Sequence, residues 1–234
     1  MIGASIGAAA VAISLGRWQL RRLAGRKASN AVFVAAQAKP PLDIPRDLLP
    51  GAVIDSGRRI AAHGVFDPSR QLLLRSRVQN DAPGLEVATP LILDNSAGVL
   101  WVIRGFVASP DAVTPPDSIP LPAAGEVTVT GLAFATPITA DSGQPLRHNG
   151  VNTWERLDRA VVRERATGSL DVYLLLAGDA SGPGRLATTP PPVLSNGPHL
   201  SYAIQWFGIA LAVLLFPMII LWREGRPPGV PPVP

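Results

Sequence analysis

Hydrophobic residues are continuous at the two ends of this chain and interspersed with polar ones between them. Residues 202–222 are 21 consecutive positions without a charge, close to the roughly 20 that an α-helix needs to cross the apolar core of a bilayer. Residues 1–16 form a second uncharged run, polar only at Ser5 and Ser14 and rich in Ala and Gly, and Arg17 ends it. At about 1.5 Å per residue that run is short for a span, although Trp18 and Leu20 lengthen it by about one turn. No basic residue precedes it and no small-residue cleavage site follows it, so it reads as a retained helix rather than a secretory signal. Its shortness leads to the expectation of a true start codon upstream of Met1, with basic residues ahead of the run.

Between the two runs lie about 170 residues, enough for one domain with its own core. Residues 58–66, 71–75, 86–93, 99–107 and 126–134 are rich in branched and aromatic side chains and bounded by Gly, Pro, Asp and Asn, so each predicts a strand. Residues 171–176 predict another, entering late. Asp94-Asn95-Ser96-Ala97-Gly98 suits a hairpin connection, and Asp67-Pro68-Ser69 suits a turn. One helix interrupts the strands, with Asn152 as its cap, Glu155 three residues on as in a capping box, and Trp154, Leu157 and Val161 on the face that lies against the sheet. The Pro-rich stretch 109–124 lacks too many amide donors for a central strand and predicts a surface loop. The Pro-rich end, 227–234, predicts an exposed extended segment.

The expected fold is a membrane protein in which two transmembrane α-helices flank a mainly β domain, a small antiparallel barrel or sandwich of α+β type. The expected divisions are a first transmembrane helix over 1–20, a basic juxtamembrane segment and linker over 21–56, the β-rich domain over 57–197, a second transmembrane helix over 198–222 and a Pro-rich tail over 223–234.

Charge sharpens this picture. The pI near 10.3 resembles that of a nucleic-acid binder, but the cations are not spread over the domain. Arg17, Arg21, Arg22, Arg26 and Lys27 lie within eleven residues, whereas residues 28–200 carry 14 basic against 16 acidic side chains. Basicity beside a membrane segment favours lipid phosphates or a membrane partner over nucleic acid.

Candidate chemistry is sparse. The chain has no cysteine and only two methionines, Met1 and Met218, so disulfides, thiolate metal sites, cysteine nucleophiles and thiol or thioether copper capture are excluded. There is no Gly-rich phosphate loop and no His-x-x-x-His, and the carboxylates are scattered. The chain is not expected to be an enzyme.

Read in order, several motifs resemble the Surfeit locus protein 1 family. They are Gly16-Arg17-Trp18-Gln19-Leu20 with Arg21-Arg22 and Lys27, Gly64-Val65-Phe66-Asp67, Thr89-Pro90-Leu91, Val102-Ile103-Arg104-Gly105-Phe106-Val107 and His199-Leu200-Ser201-Tyr202-Ala203-Ile204-Gln205-Trp206. The likeness covers nearly all of residues 15–222; its end motifs are specific and its strand motifs individually weak. The family's Arg-Gly-Trp is Arg104-Gly105-Phe106 here, which keeps an aromatic.

The resemblance implies an assembly factor for haem a-containing cytochrome c oxidase in the respiratory chain, assisting haem a insertion into, or stabilisation of, the nascent catalytic subunit. It implies oxidase subunit I and other oxidase subunits as partners, with haem a synthase and membrane lipid beside them. It also places both termini in the cytoplasm and the domain on the outer, periplasmic-side face of the cell membrane. The basic cluster then lies outside, against the positive-inside expectation; an upstream basic start would reduce that conflict.

The end motifs also suit haem chemically. An imidazole is a good axial ligand, propionates pair with arginine, and a porphyrin needs an apolar, aromatic slot. His199 is therefore the candidate iron ligand, with Tyr202 and Trp206 at i+3 and i+7 on its face, and Trp18, Arg21 and Arg22 at the end of the first helix. Plainer readings stand beside this one. A His, Tyr and Trp at a helix entry also describe an interfacial anchor, and the arginines also suit lipid phosphates. His63 and His148 read as ordinary strand and loop residues, Gln205 as a bond to a neighbouring helix, and Pro217 as a tolerated kink. The alternative function is a stable accessory subunit or scaffold of the oxidase without a cofactor of its own. An unrelated membrane-anchored binding domain is the third class.

Overall fold

The computed structural model describes residues 2–47, 53–139, 144–148, 150–177 and 186–224, so the Pro-rich end lies outside the described residues. The chain divides into two compact units, one from Met1–Val32 with Val193–Pro234 and one from Phe33–Pro192. Its helices are α1 (Ile2–Ala38), α2 (Arg159–Arg165) and α3 (His199–Glu224).

The first unit pairs the start of α1 with α3. At 37 residues, α1 does not stop near residue 20 but continues through the basic cluster. The cause is local: after Arg17 the sequence is rich in Ala, Leu, Arg and Gln, all good helix formers, and the first proline is Pro40. The two helices run antiparallel along a seam in which Ala9, Ala12 and Ala210 are buried and Trp206 and Val213 pack against them. Ala203 is buried on the same face of α3. Small residues at seam positions let two backbones approach closely. Among the described residues, His199–Trp222 is the one helical stretch long and apolar enough to cross a membrane, with mean hydropathy 2.3. Its outward side chains, Leu211, Phe216, Met218 and Ile219 among them, are exposed.

The second unit contains β1 (Leu42–Ile44), β2 (Arg59–Phe66), β3 (Leu72–Gln79), β4 (Ala82–Leu93), β5 (Val99–Ala108), β6 (Glu126–Ala135), β7 (Leu146–His148), β8 (Val151–Thr153) and β9 (Ser169–Leu176). The sheet order is β1-β2-β6-β9-β5-β4-β3, and β2 also pairs with β4. Strands β2, β6, β9, β5 and β4 therefore close into a five-stranded barrel, sealed where Gly64 meets Leu93 and Phe66 meets Leu91. Closure removes sheet edges that would otherwise stay open for pairing. The barrel is not purely antiparallel, because β9 runs parallel to β5, with Trp101 opposite Tyr173, and antiparallel to β6. A parallel neighbour needs a long crossover, and the chain between β5 and β9, which includes α2, supplies it.

Alternation along the strands fills the barrel with Ile60, Ala62, Leu91, Leu100, Val102, Val129 and Leu174. The opposite faces of β5 and β9 bury Trp101, Ile103 and Leu175 against Trp154, Leu157, Val161 and Val162. Covered on both sides, β5 reads as a nearly unbroken hydrophobic run.

The helix against this face starts later than expected. Residues 151–153 form β8, paired with β7, so Asn152 sits in a strand and Asp158 caps α2, accepting from Ala160 N–H at 2.9 Å. The hairpin turn at Gly150, with φ of +80°, captures the backbone that a capping box at Asn152 would need. Of the expected helix face only Val161 lies on α2; Trp154 and Leu157 precede the helix but pack in the same cluster. The Pro-rich stretch 109–124 carries no regular element, but it is not wholly superficial. Ile119 packs on Leu73, Leu85 and Val87, and the carbonyl of Pro120 accepts from Arg104.

Candidate functional site

The residues singled out at the chain ends fall within the helix-pair unit. Pro198 places His199 at the start of α3, where the Pro198 carbonyl accepts from Tyr202 N–H at 3.2 Å. His199 turns towards α1, and its Nδ1 lies 2.8 Å from Oε1 of Gln19, a contact between side chains 180 residues apart. One turn earlier on α1, Gly16 faces the ring of Phe207. Further along α1, Asn30 Nδ2 donates to Asn196 Oδ1 at 3.2 Å and to Ser195 O at 3.4 Å, tying down the segment that leads into α3.

An Oε1 acceptor requires the proton on Nδ1, so this tautomer of His199 carries its lone pair on Nε2. Nε2 has no hydrogen-bond partner among the described residues. Gly197, at φ +67°, flanks it, and a β-carbon there would stand 3.2 Å from Nε2. Glycine thus keeps one side of the ring clear, at a backbone conformation that side chains disfavour.

The other predicted residues are arranged unevenly. Trp18 is half exposed, with the Arg22 guanidinium 6.0 Å from its ring centroid, within cation–π reach. Arg21 is exposed, and neither it nor Arg22 has a carboxylate partner among the described residues. Tyr202 is exposed on the flank of α3 rather than in its seam, whereas Trp206 is drawn into the seam with Ala9, Ala12 and Ala210. The i, i+3, i+7 set therefore splits, because a three-residue step rotates a side chain by about 60° from its start while seven residues nearly close two turns.

These residues fit a porphyrin in donor chemistry: an imidazole with one nitrogen held and the other open, exposed aromatic rings, and guanidinium groups free to meet carboxylates. Sequence reading missed Gln19 as His199's partner. The available signal was an uncharged polar side chain flanked by Arg17 and Arg21, about one turn from Gly16.

The remaining histidines sit in the barrel unit. His63, on β2, holds Asp43 Oδ1 with Nε2 and Thr128 Oγ1 with Nδ1, both at 2.9 Å. His148 is exposed on β7. Arg104 is 7 % exposed, donating from Nε to Thr89 Oγ1 at 2.9 Å and from Nη2 to Gln71 Oε1 at 2.9 Å and Pro120 O at 2.7 Å. Burial without a carboxylate pushes its pKa down to about 10. Phe106, two residues on, exchanges backbone hydrogen bonds with Ala187 at 2.7 and 2.9 Å. The Arg-Gly-Phe motif thus braces strands and loops. Among the described residues no group of three or more His, Cys, Asp or Glu side chains could hold a metal ion.

The family model described as SURF1 family matches residues 6–211. An uncharacterised SURF1-like protein of Mycobacterium tuberculosis is 31% identical over 207 residues, covering 83% of this chain and 73% of that one. A SURF1-like protein of Monosiga brevicollis is 28% identical over 229 residues, covering 92% and 85%. Surfeit locus protein 1 of Homo sapiens is 24% identical over 216 residues, covering 86% and 71%.

Proposed function

From the premise that this chain belongs to the SURF1 family, we propose that it is a non-catalytic membrane assembly factor for haem a-containing cytochrome c oxidase. In this reading it holds haem a at the mouth of its helix pair and passes it to, or stabilises it in, the nascent catalytic subunit I. Other oxidase subunits and haem a synthase would be its further partners. The observation that carries the reading is the Gln19–His199 contact, which leaves Nε2 of His199 open beside Gly197. His199 would meet the iron, Arg21 and Arg22 would pair with the propionates, and Trp18, Tyr202 and Trp206 would supply aromatic surroundings. When bound, haem a brings its own redox chemistry; the chain's residues bind and orient it.

Membrane placement follows the same reading. The span His199–Trp222 and the apolar start of α1 alongside it support two crossings, with both chain ends on the cytoplasmic side and the barrel on the periplasmic side. Antiparallel pairing of the two helices brings the start of α1 and the end of α3 to one surface. The exposed cations that follow on α1 then suit lipid phosphates at the opposite surface.

The test is an optical spectrum of the full chain, purified in detergent from cells that make haem a, beside that of His199→Ala. A haem a spectrum at near-stoichiometric amounts that is lost in the variant supports the reading. A colourless protein that purifies in equal amounts with mature oxidase would replace it with that of a cofactor-free accessory subunit or scaffold.

A further inference from the structure

Resting on that reading, we propose that Gln19 is the positioning residue of the haem site. Its amide oxygen holds the Nδ1 proton of His199 and so presents Nε2, beside Gly197, as the nitrogen that meets iron. The 2.8 Å contact fixes both the tautomer and the ring direction. Gly197 independently clears the Nε2 side, since any β-carbon there would press on that nitrogen at 3.2 Å. Both neighbours therefore act on one atom, one by occupying its counterpart and the other by leaving room.

The contact depends on helix pairing. Gln19 lies about one turn beyond Gly16, both meet residues of α3, and Gly16 sets how closely α3 approaches through Phe207. A glutamine three positions past the close contact reaches the first turn of α3, where His199 stands. Ligating histidines commonly donate their second N–H to an acceptor that orients them and raises their basicity. An uncharged amide does so less strongly than a carboxylate, because hydrogen bonds to ionised acceptors are about twice as strong. His199 would then bind iron as a histidine with little imidazolate character. That suits a carrier that must release its cargo.

The closing experiment has two readouts on the full chain in detergent. The first is ¹⁵N NMR of the histidines in the haem-free protein, where only three rings contribute. His199 is expected as the Nδ1–H tautomer, and Gln19→Leu is expected to abolish that preference. The second is titration with haem a. Gln19→Leu should weaken binding by about 10- to 100-fold, and Gln19→Glu should restore affinity with a shifted absorption band, since its carboxylate is the stronger acceptor. An Nε2–H tautomer in the unsubstituted protein overturns the proposal. So does Gln19→Leu that binds haem a with unchanged affinity and spectrum while His199→Ala loses it, and in that case the haem-carrier reading stands. Lost affinity in Gln19→Leu that Gln19→Glu does not rescue, together with a lowered thermal midpoint, reduces Gln19 to helix packing and also overturns it. Full retention of haem a by His199→Ala overturns the haem-carrier reading itself.

Discussion

The ring of Phe207 lies where a β-carbon on Gly16 would have to be, with Cε1 2.7 Å from that position. Gly16→Ala should therefore push the two helices apart. Overpacking of this kind costs about 1–3 kcal/mol, more than the helix propensity that alanine gains over glycine. Gly25 has nothing within 4 Å of its would-be β-carbon, so Gly25→Ala should leave stability unchanged or raise it by up to about 1 kcal/mol. Thermal melting of the helical circular dichroism signal in detergent separates the two. Equal melting of both variants would show that the close contact carries no stability.

Arg104→Ala should destabilise the barrel by about 2–4 kcal/mol, because Thr89, Gln71 and the Pro120 carbonyl lose a shared donor in a buried setting. Denaturant unfolding followed by tryptophan fluorescence measures this. The loosened Pro120 loop should also become more sensitive to proteolysis. A loss under about 0.5 kcal/mol, the ordinary surface value, would contradict the bracing role.

Asp158 makes barrel stability pH-dependent. Burial alone would raise its pKa, but hydrogen bonds from Thr139 and from the Ala160 N–H outweigh it, with a smaller contribution from Arg156, so the carboxyl titrates below its ordinary range. A depressed folded pKa contributes stability above the unfolded value of about 3.9 and loses it as pH falls through the folded value. Unfolding measured from neutral to acidic pH should show stability falling below about pH 4, and Asp158→Asn should be less stable at neutral pH with a shallower acid slope. Parallel curves for the two proteins would exclude Asp158 as a contributor.

His63→Ala and His148→Ala should leave the haem a spectrum unchanged. His63 has both nitrogens engaged by Asp43 and Thr128 on the barrel surface, and His148 lies on the exposed β7. His63→Ala should cost about 1 kcal/mol of barrel stability for the lost contacts. Loss of the spectrum in either variant would move the iron ligand away from His199.

Much of the barrel could be read from the chain because its strands carry their own signals. Residues 58–66, 99–107 and 126–134 fall within one or two residues of β2, β5 and β6, since branched residues and turn chemistry act locally. The start of α2 was misplaced because the choice between Asn152 and Asp158 as cap depended on a hairpin at Gly150 that the capping-box pattern does not encode. The extension of α1 through Arg17 and Lys27 was missed for a different reason: a charge cluster ends an apolar run without ending a helix.

The candidate site divides along the same line. Composition and order alone determined that one terminal helix is apolar enough for a membrane, that cations gather beside the first apolar run, and that His199 opens the last helix. These are properties of consecutive residues. Tertiary structure alone decided that β9 closes the barrel parallel to β5, that Trp206 faces the seam while Tyr202 does not, and that Gln19 meets His199. Each of those depends on which distant segments come to lie side by side, and pairing energy is shared among many weak contacts that no single stretch of sequence records.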